Sequence, residues 1–140
     1  MTEQIYAFTG LDVATDIARM LAFDAFILNE DRHTNNILFL YDPPTNEWEL
    51  APIFDNGLSL LSDVKDYPLG KPMSILKRLV QAKPFNSSFS KQLSLYHGRP
   101  FIDADALVNN LENADIELGR AKDVILSQLR DPQFKKLLID

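Results

Sequence analysis

Two short polar segments hold the residue types and the spacing that phosphoryl transfer requires. Asp31 and Asn36 are separated by four residues within NEDRHTNN (29–36), and Asp55 stands two places before Gly57 in a later loop. A positioned carboxylate can orient an attacking hydroxyl and accept its proton. An amide oxygen and a second carboxylate are hard ligands that suit Mg²⁺ held against phosphates. This spacing and these loop positions are typical of sites that transfer phosphoryl groups.

A predicted β-hairpin separates these two segments. ILFLY (37–41) is a short apolar run, which favours a strand buried on both faces. DPPTNE (42–47) predicts a turn, and WELAPIF (48–54) predicts the returning strand, with Pro52 limiting the pairing. If the two strands pair, the start and the end of the hairpin lie side by side. Four polar residues would then converge there: Asp31, His33, Asn36 and Asp55.

A long helix is predicted before the first polar segment, over residues 11–28. It has no Gly or Pro, and its apolar residues recur at helical spacing, as in a largely buried helix. Asp24 interrupts the apolar stripe, and a buried carboxylate needs a partner. Asp24 would then either hydrogen-bond the loop at 29–36 from beneath, which we favour, or face solvent. Trp48 is expected to pack within the hairpin.

Helical patterns fill the rest of the chain. Helices are predicted over 73–82 and over 115–130. Two more are predicted from their capping residues: one from Ser87 or Ser88 through Leu95, and one that begins at Asp103 or Asp105. A last short helix is predicted from Pro132 to Ile139. The helix at 73–82 is expected to place Ile75, Leu76, Leu79 and Val80 on one face. The chain is thus predicted to be one domain over 1–140, mainly α with a small β-hairpin (α+β).

Composition narrows the class of function. The 140 residues carry a net charge of −6, which argues against a broad nucleic-acid interface. The chain has no cysteine, so thiolate nucleophiles and zinc–thiolate sites are excluded, as expected in a reducing cytoplasm. No apolar run is long enough to span a bilayer, and no signal peptide is visible. We expect a cytoplasmic protein without a membrane partner.

Residues 23–40 and 50–60 resemble the HipA-like kinases of bacterial toxin–antitoxin systems. The family loop runs Asn-x-Asp-x-His-x-x-Asn, and this chain has that pattern within 29–36. The later family motif is a Leu-Ala-Pro run leading to an aromatic residue and Asp, here residues 50–55. The segment from Lys83 to Phe85 also looks similar. The resemblance implies a protein-kinase-like C-terminal lobe.

The resemblance implies a role for each matching residue. Asp31 would be the catalytic base, and Asn36 and Asp55 would be Mg²⁺ ligands. His33 would lie near the nucleotide phosphates, and Phe54 would lie beside the nucleotide. The implied reaction transfers the γ-phosphate of ATP to a Ser or Thr hydroxyl of a protein. The implied substrates include aminoacyl-tRNA synthetases, and the implied partner is a DNA-binding antitoxin.

One part of the kinase pattern is not matched. The chain has neither a Gly-rich phosphate loop nor a strand-borne Lys for the α- and β-phosphates. We expect the N-terminal lobe to be supplied either by the same longer polypeptide or by a separate chain. Alone, the chain is expected to be inactive.

Two other functions are compatible with the residues. A non-catalytic, pseudokinase-like binding module would explain the unmatched N-terminal lobe, although it has no need for all three of Asp31, Asn36 and Asp55. A metal-dependent phosphohydrolase would use Asp31, His33 and Asp55 and would release phosphate without ATP.

Overall fold

A computed structural model describes residues 1–82 and 88–139 of the chain. Its helices are α1 (Thr2–Thr9), α2 (Ala14–Ile27), α3 (Met73–Leu79), α4 (Phe89–Ser94), α5 (Ala104–Glu112) and α6 (Arg120–Arg130), with 3-10 helices at Thr34–Asn36 and Pro132–Leu137. Its strands are β1 (Phe39–Asp42), β2 (Glu47–Leu50), β3 (Ile102–Asp103) and β4 (Leu138–Ile139). The fold is mainly helical with a small antiparallel sheet, which confirms the predicted α+β class.

Helix α2 lies at the centre of the fold, as its sequence pattern predicts. Ala22, Ala25 and Phe26 are buried against α4, α6 and the C-terminal 3-10 helix. The small alanines allow close approach, and the Phe26 ring meets the Phe134 ring edge to face at 5.5 Å. The helix ends at Leu28, which takes a left-handed conformation (φ 56°), so the following loop turns sharply away.

The hairpin forms as predicted, but its burial was predicted wrongly. Strands β1 and β2 pair antiparallel with Tyr41 opposite Trp48, and the pairing ends at Leu50, just before Pro52. Leu40 and Tyr41 are 46% and 44% exposed, although 37–41 was expected to be buried on both faces. Among the described helices, none packs extensively against β1 or β2, so the apolar side chains of β1 remain half in water.

Trp48 packs within the hairpin as expected, and α1 adds a ring that the sequence pattern did not predict. The ring of Trp48 lies 4.8 Å from Tyr41 and 5.5 Å from Phe8 of α1. Helix α1 ends at Gly10, whose φ of 75° lets its N–H bond the carbonyl of Tyr6. No residue of α1 is buried, so the helix lies on the surface.

The second half of the chain follows its capping signals closely. Ser88 and Asp103 are the N-caps of α4 and α5, and each side chain accepts a backbone N–H. The helix expected over 115–130 begins only at Arg120. On the apolar face of α3, Leu76 and Val80 are buried, whereas Ile75 and Leu79 are about half exposed. The alternative cap Ser87 and the segment from Lys83 to Phe85 lie outside the described residues.

Two short strands near the C-terminus were not predicted. Strands β3 and β4 pair in parallel, with Ile102 opposite Leu138. Each is only two residues long, too short to leave an alternating pattern in the sequence. Within the described ranges, no helix combines the length and the apolar character needed to cross a membrane.

Candidate functional site

A buried ion pair lies beneath the first polar loop. The carboxylate of Asp24 accepts the Nε–H of Arg32 at 3.0 Å and an Nη2–H of Arg32 at 2.9 Å. Both residues are 0% exposed. Two charges removed from water need good geometry and further hydrogen bonds to offset their lost hydration. This two-point contact supplies the geometry, and it confirms that Asp24 supports the loop from beneath.

Asn29 completes the support on the loop side. Its Nδ2–H donates to Asp24 at 2.9 Å, and its Oδ1 accepts the backbone N–H of Asp31 at 3.2 Å. Asn29 is 1% exposed, and its bond to Asp24 is buried. The left-handed Leu28 directs the chain into this arrangement, and the N–H of Asn29 returns to the carbonyl of Asp24. The backbone of Asp31 is therefore held from the end of α2.

Arg32 also joins the two polar segments to each other. Its Nη1 donates to the carbonyl of Phe54 at 2.7 Å and to that of Asn36 at 3.4 Å. Its Nη2 donates to Oδ1 of Asn56 at 2.5 Å. One guanidinium thus bonds the end of the 3-10 helix and both neighbours of Asp55. The structure brings the loop at 29–36 against the segment at 54–56, as the hairpin geometry required.

Asp31 is partly exposed and already has a partner. Its carboxylate contacts Nε2 of His33, whose side chain is 56% exposed. The backbone carbonyl of Asp31 accepts the N–H of His33 at 3.0 Å and an Nδ2–H of Asn36 at 3.3 Å. These contacts form a tight turn that places the carboxylate and the imidazole together at the surface. His33 was expected to lie near the nucleotide phosphates. In the structure its imidazole contacts the carboxylate of Asp31.

Asp55 is held in an unusual backbone conformation. Its φ of 54° lies in the left-handed region, which is costly for a residue other than glycine and which Asp and Asn tolerate best. The residue is exposed, and its side chain has no hydrogen bond to any other described residue. Because Arg32 bonds Phe54 and Asn56 on either side, the conformation of Asp55 is set by its neighbours. Phe54 itself is half-buried.

The oxygen atoms available here suit a hard cation. The amide nitrogen of Asn36 is committed to the carbonyl of Asp31, and the carboxylate of Asp55 is open to solvent. One amide oxygen and one carboxylate are the kind of partial ligand set that Mg²⁺ uses with phosphates and water. In the ranges 1–82 and 88–139, no group of three or more His, Cys, Asp or Glu side chains is placed to hold a metal ion by itself. Among the described residues, neither the side-chain oxygen of Asn36 nor the carboxylate of Asp55 has a hydrogen-bond partner.

A second network holds the loop from its other side. The backbone N–H of Glu30 donates to the carbonyl of Leu58 at 3.1 Å, and the Tyr67 hydroxyl donates to Oε2 of Glu30 at 2.5 Å. Arg120 of α6 in turn donates to the carbonyls of Tyr67 and Leu61. Burial and the adjacent Glu30 raise the pKa of the Tyr67 hydroxyl above its ordinary value.

Sequence reasoning missed Arg32, Asn56 and the Tyr67 network. A signal for Arg32 was present, since a buried Asp24 demands a cation and Arg32 is the next basic residue after the helix. The Tyr67 contact crosses 37 residues and left no local pattern. Comparisons with protein-family models, with curated proteins and with solved structures found no match to this chain. The resemblance of residues 23–40 and 50–60 to HipA-like kinases therefore stays a prediction.

Proposed function

We propose that this chain is the catalytic C-terminal lobe of an ATP- and Mg²⁺-dependent Ser/Thr protein kinase of the HipA type. A second lobe, on the same polypeptide or on a separate one, would hold the adenine and the α- and β-phosphates. A protein hydroxyl is the acceptor, and a DNA-binding antitoxin is the proposed regulatory partner. The described fold, mainly helical with a small hairpin, is compatible with a kinase-like C-lobe.

One observation carries the proposal: a single buried guanidinium bonds both polar segments. Arg32 contacts the carbonyl of Asn36 on one side and that of Phe54 on the other. Arg32 reaches Phe54 across 22 positions of sequence, so the shared buried cation fixes the relative position of the two segments. Holding two metal ligands and a base in register before substrate arrives is what positioning catalysis requires. An ordinary turn around Asp55 would not need this support.

Each predicted site residue then has a specific role in the proposed phosphoryl transfer. Asp31 accepts the proton of the protein hydroxyl, and its backbone is positioned by Asn29 and Asn36. Asn36 and Asp55 would hold Mg²⁺, which neutralises charge on the transferred phosphoryl group. His33 contacts Asp31 directly, so it competes with the incoming hydroxyl until substrate binds. Phe54, half-buried directly before Asp55, would lie beside the nucleotide.

The proposal is tested by paramagnetic broadening of amide signals. Mn²⁺ replaces Mg²⁺ in phosphate sites, and it broadens the signals of nearby backbone amides. With a non-hydrolysable ATP analogue and the ¹⁵N-labelled chain, selective broadening is expected at residues 33–37 and 54–57. Excess Mg²⁺ should restore these signals. Broadening spread evenly over the acidic surface would contradict the proposal.

Two matched variants sharpen this experiment. Asp55→Asn removes the proposed ligand charge and should abolish the selective broadening. Asp105→Asn is the control, because Asp105 is exposed and stands five positions before Asn110, the same spacing as Asp31 and Asn36. It should leave the broadening unchanged. Phosphate release from a simple ester, dependent on a transition metal and not on ATP, would instead favour a phosphohydrolase.

A further inference from the structure

Charge is distributed unevenly along the chain. All 20 acidic residues lie outside residues 67–102, whereas this stretch holds six of the 14 Lys and Arg residues. Residues 132–139 are likewise without Asp or Glu, and they contain Lys135 and Lys136. Separation of charge along a chain is a property of its interactions and not of its fold. It becomes informative here because the fold brings the two segments together.

The end of α4 packs against the C-terminal 3-10 helix. The Nζ of Lys136 donates to the carbonyls of Leu93 and Tyr96, at 2.6 Å and 3.0 Å. The backbone N–H of Phe101 donates to the carbonyl of Leu137 at 2.9 Å. The turn that follows α4 therefore lies beside this 3-10 helix.

Four exposed cationic side chains lie on α4, on the turn after it and on the 3-10 helix: Lys91, Arg99, Lys135 and Lys136. We call these four residues the basic surface. Within residues 1–82 and 88–139, no carboxylate forms an ion pair with any of them. The partners of Lys136 are neutral carbonyls, so they do not neutralise its charge. The turn itself is held by the Tyr96 hydroxyl, which donates to the carbonyl of Arg99 at 2.6 Å.

Leu95 adds an apolar contact to the basic surface. Its side chain is 57% exposed, and it follows Lys91 by four positions, so the two side chains share one face of α4. Exposed charge pairs alone contribute little to binding, whereas apolar side chains that are covered by a partner contribute more. A ligand that combines carboxylates with an apolar side chain would use both features.

We propose that the basic surface binds a short acidic segment of a partner protein, with an apolar residue of that segment against Leu95. The Debye length is about 8 Å at physiological ionic strength, so a short segment senses mainly the nearby cations. A nucleic acid or an anionic membrane extends further and would also meet the acidic remainder of a chain with net charge −6. Four cations are also fewer than the roughly 6–10 phosphate contacts that give strong nucleic-acid binding. This inference does not depend on the proposed kinase activity.

Titration of the ¹⁵N-labelled chain with a peptide tests the proposal. The probe is a ten-residue Gly/Ser peptide with four glutamates and one central leucine, acetylated and amidated. We expect saturable shifts of the amide signals at residues 91–99 and 133–137, and weaker binding as salt is added. Peptides with glutamine in place of glutamate, or with serine in place of leucine, should bind more weakly. The proposal would be overturned by no saturation at millimolar peptide, by equal affinity for the glutamine peptide, or by a ten-nucleotide single-stranded DNA that binds as tightly.

Two charge-matched double variants separate a local site from a general effect of charge. Lys91→Gln with Lys135→Gln should weaken peptide binding about fivefold or more, as expected for the loss of two exposed charge pairs. Lys136 is kept because its ammonium bonds two backbone carbonyls. Lys65→Gln with Lys71→Gln changes the net charge equally, at exposed positions before α3, and should leave the affinity unchanged. Equal losses in both variants would overturn the proposal.

Discussion

Asp24 and Arg32 form a buried ion pair in which two N–H groups of one guanidinium meet the two oxygens of one carboxylate, at 3.0 Å and 2.9 Å. The pair ties the end of α2 to the loop that carries Asp31. The remaining N–H groups of Arg32 reach the carbonyl of Phe54 and the side chain of Asn56. The pair therefore stabilises the fold and positions the candidate site.

Breaking this pair from one side should strongly destabilise the chain. Asp24→Ala leaves the Arg32 charge buried without its carboxylate, and we expect a loss of about 3–5 kcal/mol in the free energy of unfolding. Asp16→Asn, at an exposed position of α2, should cost less than about 1 kcal/mol. Urea denaturation measures both. An unchanged midpoint for Asp24→Ala would mean that Arg32 finds another partner.

Two substitutions at Asp55 should differ in their effect on stability but have the same effect on metal binding. Asp55→Gly suits the positive φ, whereas Asp55→Ala places a less tolerant residue there, so the glycine variant should be more stable by about 1 kcal/mol. Both variants should lose the selective Mn²⁺ broadening, because both remove the carboxylate. Denaturation and amide spectra measure the two effects. Retained broadening in either variant would exclude Asp55 as a ligand.

Replacing Asp31 should stop phosphoryl transfer without unfolding the chain. Asp31 is partly exposed, so Asp31→Asn keeps the turn and removes the proton acceptor. Once the chain is assembled with its nucleotide-holding lobe, we expect transfer from labelled ATP to fall by about 10²- to 10⁴-fold. Asp105→Asn should transfer at the parent rate. Undiminished transfer in Asp31→Asn would exclude it as the base.

Because Tyr67 is buried and bonded to Glu30, we expect the free energy of unfolding to fall at alkaline pH. Burial raises the pKa of its hydroxyl above the ordinary value of about 10, and the bond to Glu30 raises it further. The folded chain keeps a proton that the unfolded chain releases, so the free energy of unfolding falls as pH rises above about 10.

The variant Tyr67→Phe tests this contribution. It should be less stable by about 1–2 kcal/mol at pH 7, because the bond to Glu30 is lost, and its alkaline fall should be shallower. Tyr41→Phe removes only an exposed bond to Asn46, so it should lose less and keep the steeper fall. Denaturation at a series of pH values compares them. Parallel pH curves for Tyr67→Phe and the parent would contradict the assignment.

The opposed acids of the hairpin predict a stabilising substitution. Glu47→Gln removes one of two like charges that face each other across the strands, so stability should rise by about 0.2–1 kcal/mol at low salt. The gain should shrink as salt screens the charges. Glu117→Gln, at an exposed position outside the helices, should change little. Thermal denaturation at two salt concentrations measures the difference, and a loss of stability in Glu47→Gln would contradict a repulsive pair.

Local patterns in the sequence were sufficient for the main elements. The apolar period of 11–28 predicted a buried helix, and the structure has α2 from Ala14 to Ile27. The prolines at 43 and 44 predicted the hairpin turn, and Ser88 and Asp103 predicted two helix starts. Periodicity, turn chemistry and capping depend on neighbouring residues, so they can be read from the chain itself. The residue types and loop positions of Asp31, Asn36 and Asp55 were available in the same way.

Tertiary structure alone decided which partners these residues meet. Two partners of Arg32, Phe54 and Asn56, lie 22 and 24 positions away, and Tyr67, the partner of Glu30, lies 37 positions away, so no short-range pattern records these contacts. The exposure of the hairpin likewise could not be predicted from the residues of the hairpin alone. An apolar strand is buried only when another layer covers it, and within the described residues no helix packs extensively against this hairpin.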